Sequence, residues 1–170
     1  ASSPSRYSPG TAPGTDLANA EAFAAAHRGN AAHVAGLRGW HVWDGRRWAP
    51  DPVAAERLAK GVARSLLIKA IEADNDSAIK DARAAQSSGG LRAMLALAAS
   101  EAEIARTPDD FDRDPMLLNC MNGTLDLRTG ELRPHRRDDL ITHLCPVAYD
   151  PKAKSAIWDA FLSFATREDA

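Results

Sequence analysis

The chain has 170 residues with 21 basic and 23 acidic side chains, a net charge of −2, and 45% of its residues are hydrophobic. That length and apolar content suit one domain with a hydrophobic core. The balanced charge excludes a strongly basic nucleic-acid coat, a polybasic membrane binder and an acidic disordered tail. Two cysteines are too few for a disulfide-built fold. No apolar run approaches the roughly 18 residues of a membrane-spanning helix, so we expect a cytoplasmic domain.

The start of the chain is rich in proline, glycine and serine over residues 1–15. Such a segment buries too little apolar surface to offset its loss of conformational entropy, so it is predicted to be a disordered linker. If residues 1–15 are a linker, we expect another domain before them, and the missing initial methionine indicates a fragment of a longer protein. Asp16 is predicted to cap a first helix that runs through Phe23 to about His27.

A β-hairpin is predicted around residues 44–47, where an Asp-Gly pair stands between tryptophan-containing runs. A four-residue loop would place Trp43 opposite Trp48, whereas a two-residue loop would place Trp43 opposite Arg46. The four-residue loop is favoured because an aromatic cross-strand pair stabilises a hairpin better.

Apolar residues recur at helical spacing over residues 53–86, which predicts one long helix. The alternative is an interruption of this helix near Asn75. Residues 87–90 are predicted to be a break because they contain two serines and two glycines. A second helix is predicted over residues 91–105, ended by Pro108.

The last third changes to short strands separated by turns. Three strands are predicted at residues 116–120, 124–127 and 131–133, with reversals at the glycines of the two intervening turns. Leu125 and Leu127 should share the apolar face of this meander, because alternate residues of a strand point to the same side. Residues 139–144 are a candidate fourth strand.

A terminal amphipathic helix is predicted over residues 156–164. The predicted fold class is therefore α+β, with central helices, an N-terminal β-hairpin and a C-terminal three- to four-strand antiparallel meander.

A search for catalytic groups finds no ordered set. The only Gly-Gly pair, Gly89–Gly90, is followed by leucine and arginine, without the lysine that a phosphate-binding loop requires. Cys120 and Cys145 lie among apolar residues, so they are interpreted as core packing rather than nucleophiles. No catalytic residue is predicted, and we expect the chain itself to be non-catalytic.

Two groups of residues contain metal-ligand types, but neither predicts a metal site. The aspartates at 109, 110, 112 and 114 have the ligand type for a hard cation, but a solvated loop explains them equally well. Cys120, His135, His143 and Cys145 have the ligand types for zinc, but structural zinc sites usually bring pairs spaced two to four residues apart, and the successive spacings here are 15, 8 and 2. We therefore expect no metal and no cofactor here.

Nucleic-acid contact is harder to exclude. Arg46 and Arg47 lie at the predicted hairpin tip, and arginines at protruding turns suit phosphate contacts, with a nearby tryptophan able to stack on a base. The alternative is that the tryptophans anchor the hairpin in the core while the arginines are merely solvated. Near-neutral charge argues against tight autonomous DNA binding. The candidate set of weak nucleic-acid-binding residues is Arg46, Arg47, Arg128, Arg133, Arg136 and Arg137.

An ordered string of motifs covers the second half of the chain. It comprises Asp-Asp-Phe-Asp at 109–112, Leu-Leu-Asn-Cys at 117–120, N-G-x-L-D-L-x-T-G-E-L-x-P-H at 122–135 and Tyr-Asp-Pro at 149–151. Together with the Trp-Asp-Gly-Arg-Arg-Trp run at 43–48, it resembles the helicase amino-terminal domain of phage and plasmid primase–helicases.

The resemblance runs from about Asp16 to the end, and it implies a place in phage, prophage or plasmid DNA replication in the bacterial cytoplasm. Residues 16–155 would be a collar or adaptor domain between a primase, or primase–polymerase, and a superfamily 3 helicase motor. Residues 156–170 would be a helix leading into that motor, which lies outside this sequence. ATP and Mg²⁺ would belong to the motor, and DNA would be a partner of the full protein.

The resemblance also implies a homohexameric ring in the full protein, with the primase and helicase domains as adjoining partners. Two alternatives stay open at this point. One is a purely structural oligomerisation or interaction domain without direct DNA contact. The other, an independent hydrolase or metal enzyme, is disfavoured because no candidate group has ordered partners.

Overall fold

The computed structural model describes residues 12–37 and 39–166, so most of the predicted linker 1–15 lies outside the described residues. The helices of the described chain are α1 (Asp16–His27), α2 (Pro52–Glu72), α3 (Asp76–Ala85), α4 (Ser88–Ala98) and α5 (Ala156–Ala165). The first sheet, in the order β3-β2-β1-β4, contains β1 (Ala31–Val34), β2 (Gly39–Trp43), β3 (Trp48–Pro50) and β4 (Ala105–Arg106). The second sheet contains β5 (Leu117–Cys120), β6 (Gly123–Asp126) and β7 (Glu131–Arg133). The predicted α+β class is confirmed.

Helix α1 begins where the sequence indicated, but its cap is different. The Thr15 side chain accepts a hydrogen bond of 3.2 Å from the Ala18 backbone N–H, so Thr15 and not Asp16 is the N-cap. Asp16 is the first helical residue, where its carboxylate still favours the positive end of the helix dipole.

The interruption near Asn75 is confirmed, and the long helical pattern is divided into α2 and α3. Asp74 has φ of +49°, which ends α2. The Asn75 side chain then accepts a 3.0 Å hydrogen bond from the Ala78 N–H and caps α3. A residue in the left-handed region therefore ends one helix, and the polar side chain that follows it caps the next.

The predicted helix over 91–105 is wrong at both ends. Helix α4 starts at Ser88, because the Ser87 hydroxyl accepts from the Gly90 N–H at 3.0 Å. It ends at Ala98, residues 99–104 form turns and a bend, and Ala105 pairs in parallel with His33 of β1 as part of β4. Non-local strand pairing has replaced the helical continuation that the local sequence favoured.

The predicted hairpin has the favoured four-residue loop. Trp43 lies opposite Trp48, with ring centroids 6.3 Å apart. The Asp44 carboxylate accepts hydrogen bonds from the N–H groups of Arg46 and Arg47 at 2.8 and 2.9 Å, which fixes the loop. The hairpin is part of a larger sheet than predicted, because β1 and β4 extend it beyond β2.

The meander has three strands, and the candidate fourth strand at 139–144 is wrong. Residues Arg137–Asp139 form a 3₁₀ turn, and Leu140 has φ of +50°. The chain then runs beside β5, with the Cys145 N–H donating to Asn119 O at 2.8 Å and the Met121 N–H to Val147 O at 3.0 Å. An irregular segment therefore covers the free edge of β5.

The predicted apolar face of the meander is only partly present. Leu125 is 6% exposed, as expected, but Leu127 lies beyond the end of β6 and is 47% exposed. Thr124, on the opposite face, is 1% exposed, because the hairpin loop and the segment after residue 135 cover that face. Both faces of β6 are thus buried.

The main core lies between α1, α2 and α4. Phe23, Ala59, Met94 and Ile104 are fully buried there, and Phe23 meets the edge of Trp40 at a centroid distance of 5.5 Å. A second cluster of Ala32, Val34, Trp48 and Phe111 lies against the first sheet. Buried alanines let the helices approach closely, which compensates for their small apolar area.

Helix α5 lies at residues where the sequence predicted it, and it leaves its apolar side chains exposed. Ile157 is 84% exposed and Phe164 77% exposed, while Trp158 and Phe161 stack on each other at 5.4 Å. None of the helices in the described ranges is long and apolar enough to cross a bilayer.

Candidate nucleic-acid interface

The hairpin loop and the segment that follows β7 lie against each other. The Trp48 backbone N–H donates to Ile141 O at 2.8 Å, and its indole N–H donates to Arg137 O at 2.8 Å. The Arg47 guanidinium donates to Thr142 O at 3.4 Å. The two segments that carry the arginine motifs are far apart in sequence, and these bonds hold them against each other.

Asn119, at the centre of β5, joins the two motifs. It is 3% exposed, and its amide N–H groups donate to Arg46 O at 2.9 Å and to His143 O at 3.1 Å. Its Oδ1 accepts from the Thr124 hydroxyl at 3.2 Å and lies 2.8 Å from Nδ1 of His135, which must therefore carry a proton. Both donors and both acceptor sites of one side-chain amide are used.

Sequence reasoning missed Asn119 as an organising residue. The signal available was a polar amide within the apolar strand Leu-Leu-Asn-Cys. A buried amide is tolerated when its hydrogen bonds are made, so such a residue indicates contact with another segment. The sequence does not identify which segment that is.

Three of the predicted arginines have no carboxylate partner among the described residues, and their side chains are exposed: Arg46, Arg136 and Arg137. Among the described residues, the Arg46 guanidinium donates to the Met121 sulfur at 3.5 Å, and the Arg46 backbone carbonyl accepts from Asn119. We call these three residues the free arginine cluster. Exposed guanidiniums without a counter-charge are suited to phosphate oxygens.

The other three predicted arginines are engaged within the chain. Arg128 makes a bidentate pair with Asp114 at 2.6 and 3.1 Å, and Arg133 makes one with Asp139 at 2.8 Å for both bonds. The Arg128 hydrogen bonds lower the pKa of the Asp114 carboxyl, so that pair stays ionised at neutral pH. Arg47 Nε lies 3.7 Å from an Asp44 carboxylate oxygen.

The tryptophans of the hairpin are positioned more as anchors than as stacking platforms. Trp48 is 3% exposed and packs edge-on against Phe111 at 6.0 Å. A base has no access to a ring buried to that extent. Trp43 is half-buried beside it, so the hairpin sequence pattern reflects core anchoring at Trp48.

Three of the four aspartates at 109–114 accept side-chain hydrogen bonds within the chain: Asp110, Asp112 and Asp114. The Asp110 carboxylate accepts from the N–H and hydroxyl of Thr107 at 2.8 and 3.0 Å, and these bonds lower the pKa of its carboxyl. Asp112 accepts from the Thr142 N–H at 2.9 Å. Within the described ranges, no three His, Cys, Asp or Glu side chains are arranged to hold a metal ion.

The two cysteines differ in exposure. Cys120 is buried and Cys145 is half-buried, and neither forms a disulfide. Burial, and the neighbouring thiol, raise the pKa of Cys120 above its ordinary value. A thiol that is protonated at neutral pH is a poor nucleophile and a poor metal ligand, which fits the packing role that the sequence indicated.

Comparison with known proteins identifies the family to which the chain belongs. No curated protein matches the chain. A family model described as D5 N terminal like matches residues 20–167, which include both sheets and all five described helices except the first turn of α1. The chain therefore belongs to the D5 N terminal like family, the N-terminal domain of phage- and plasmid-type primase–helicases.

Proposed function

We propose that this chain is a non-catalytic module of a DNA-replication primase–helicase, which links a primase to a superfamily 3 helicase motor and assists DNA engagement. Family membership supports the replication context. The observation that supports the DNA contact is the free arginine cluster, three exposed arginines without a carboxylate partner among the described residues, on two segments that hydrogen-bond to each other.

The division of the arginines supports a weak phosphate contact. Arg128 and Arg133 would have to break bidentate pairs to reach a phosphate, whereas Arg46, Arg136 and Arg137 would break none. A few contacts of this kind give modest affinity in a chain with a net charge of −2. In a homohexameric ring the cluster would recur in every subunit, and the contacts would add through multivalency.

The chemistry of unwinding belongs to the motor in this proposal. ATP and Mg²⁺ bind there, and this module positions DNA and the neighbouring domains. Helix α5 would be the connection to the motor, because its side chains Ile157, Phe161 and Phe164 are apolar and more than half exposed. Apolar helical faces of this kind are normally buried against a neighbouring element.

A second candidate function is assembly without DNA contact. The exposed face of α5 favours it, because an apolar surface suits a neighbouring subunit or domain better than a phosphate. In that case the free arginine cluster would be solvated and its charge would be dispensable.

Fluorescence anisotropy with labelled single-stranded DNA at low salt distinguishes the two. We expect the double variant Arg136→Glu/Arg137→Glu to bind at least about tenfold more weakly than the wild type, because two phosphate contacts become repulsive. The matched control is Arg64→Glu/Arg92→Glu, which makes the same charge change at exposed positions on α2 and α4.

The control should bind within about twofold of the wild type if the contact is local. Equal weakening by both pairs would mean that only net charge matters. Binding that neither pair changes would favour the assembly function.

A further inference from the structure

The two cysteines of the chain lie beside each other, although they are far apart in sequence. The segment that contains Cys145 runs along the free edge of β5 in the same direction as the strand. Its bonds to β5 are the Cys145 N–H to Asn119 O at 2.8 Å and the Met121 N–H to Val147 O at 3.0 Å. In a parallel pair, a residue that donates to one carbonyl lies opposite the residue that follows that carbonyl. Cys145 is therefore opposite Cys120.

This placement fits the geometry of a disulfide. Neighbouring strands lie about 4.8 Å apart, and the Cα atoms of a disulfide are usually about 4.4–6.8 Å apart. Side chains of residues that lie opposite each other point to the same face of a sheet. The thiols are also close enough for Cys145 to contribute to the raised pKa of Cys120.

The two thiols differ in their access to solvent. Cys145 is half-buried and lines a cavity of about 210 Å³ together with Leu118, Asn119 and His143. Cys120 is 4% exposed, and its burial raises the pKa of its thiol, which stays protonated at neutral pH. A small oxidant therefore reaches Cys145 first, whereas Cys120 reacts with a group that is already beside it.

We propose that Cys120 and Cys145 form a redox-sensitive clip, in which a peroxide converts the two thiols into a disulfide that fixes the C-terminal segment to β5. The segment is irregular and follows a 3₁₀ turn at Arg137–Asp139, so a covalent bond adds a constraint that a regular strand would already have. Both cysteines are free in the structure, which therefore corresponds to the reduced form of the clip.

The oxidation has two steps. In the first, the Cys145 sulfur attacks one oxygen of hydrogen peroxide, an S–O bond forms as the O–O bond breaks, and the hydroxide leaves as water with the thiol proton. The product is a sulfenic acid. In the second, the Cys120 sulfur attacks the Cys145 sulfur, the S–O bond breaks, and the hydroxide leaves as water with the Cys120 proton. The two thiols lose two electrons in total, and one peroxide is reduced to two waters.

The position of Cys120 favours the second step over further oxidation of Cys145. A nucleophile held beside its target reacts with a high effective concentration, which compensates for the small thiolate fraction of the Cys120 thiol. The sulfenic acid should therefore be consumed before a second peroxide reaches it.

Hydrogen peroxide treatment of the dilute chain, followed by mass spectrometry of the intact protein, tests the disulfide. We expect the monomer to lose two hydrogens and dithiothreitol to restore them. Dimedone, which traps sulfenic acids, tests the order of the steps. It should label Cys120→Ala at least about tenfold more than the wild type, because the sulfenic acid at Cys145 then has no thiol to react with.

The matched control is Cys145→Ala, which keeps the buried thiol and should be labelled no more than the wild type. Circular dichroism checks the fold of both variants, and if Cys120→Ala is unfolded, the mass of the oxidised wild type decides. Urea unfolding gives a second readout, because a disulfide restricts the unfolded chain. The midpoint of the oxidised wild type should lie about 1 M above that of the reduced form, and peroxide should not raise the midpoint of Cys145→Ala.

The proposal is overturned if peroxide yields only higher sulfur oxides or disulfide-linked dimers. It is also overturned if the oxidised monomer unfolds at no higher urea concentration than the reduced one, or if dimedone labels the wild type and Cys120→Ala equally. The proposed arginine contact with DNA stands or fails separately, because these measurements contain no DNA and leave the free arginine cluster intact.

Discussion

Replacement of Asn119 by leucine is the sharpest test of how the two arginine motifs are held together. Leucine has nearly the same size, but it removes four side-chain hydrogen bonds at a site that is 3% exposed. At about 1 kcal/mol for each bond, and with some partners regaining water, we expect a loss of roughly 3 kcal/mol in the free energy of unfolding. That is a large share of the stability of a small domain.

Urea unfolding followed by tryptophan fluorescence measures this loss. With a slope of about 2 kcal/mol per molar urea, the midpoint of Asn119→Leu should lie about 1.5 M below that of the wild type. The matched control is Asn122→Ala, because Asn122 also bridges to the C-terminal segment, through bonds of 2.9 and 2.8 Å to the Tyr149 backbone. Asn122 is exposed, so water replaces those bonds and the cost should be about 1 kcal/mol or less.

The urea midpoints of the two variants show whether the Asn119 amide organises this region. A midpoint for Asn119→Leu that is no lower than that of Asn122→Ala would show that the amide does not organise this region. A large loss together with unchanged DNA binding at low urea would show that the hydrogen bonds stabilise the fold without placing the arginines.

Two further predictions concern pH and the meander. Burial lowers the pKa of His27 below its ordinary value of 6.5, while a hydrogen bond with the Leu58 backbone opposes this. The unfolded state therefore binds the proton more tightly than the folded state. The stability that neutral His27 contributes should be lost as pH falls through about 6.5 and below. Thermal unfolding between pH 7 and 5 should show a smaller decrease for His27→Phe than for the wild type, and an equal decrease would contradict this. A Cβ on Gly123, which has φ of +155°, would lie 2.5 Å from Arg133 O, so Gly123→Ala should destabilise the chain by about 2 kcal/mol or more. Gly130→Ala is the control, since Gly130 has a positive φ but no atom lies within 4 Å of the new Cβ. A similar loss of stability in both variants would show that backbone strain, and not the clash with Arg133 O, is the cause.

The elements that the sequence predicted well are those fixed by local chemistry. The hairpin loop follows from Asp44, whose carboxylate binds the next backbone N–H groups, and the meander follows from glycines in its turns. The elements it did not predict depend on distant partners. Strand β4 has only two residues and exists because it pairs in parallel with β1, and no local pattern indicates such a pairing.

The residues of the candidate site also divide into those that the local sequence identifies and those that depend on distant contacts. Arginines at turns were recognisable from their position, but the pairing of Arg128 with Asp114 joins residues 14 positions apart and requires the folded meander. Asn119 was recognisable only as a polar residue within an apolar strand.

The salt dependence of single-stranded DNA binding tests the central claim most directly, because the number of phosphates contacted sets the slope of log affinity against log salt. Each phosphate contact contributes about 0.7 to that slope for single strands. We expect Arg136→Ala/Arg137→Ala to make the slope about 1.4 shallower, and Arg64→Ala/Arg92→Ala to leave it unchanged. An identical slope for the wild type and Arg136→Ala/Arg137→Ala would contradict a phosphate contact at the free arginine cluster.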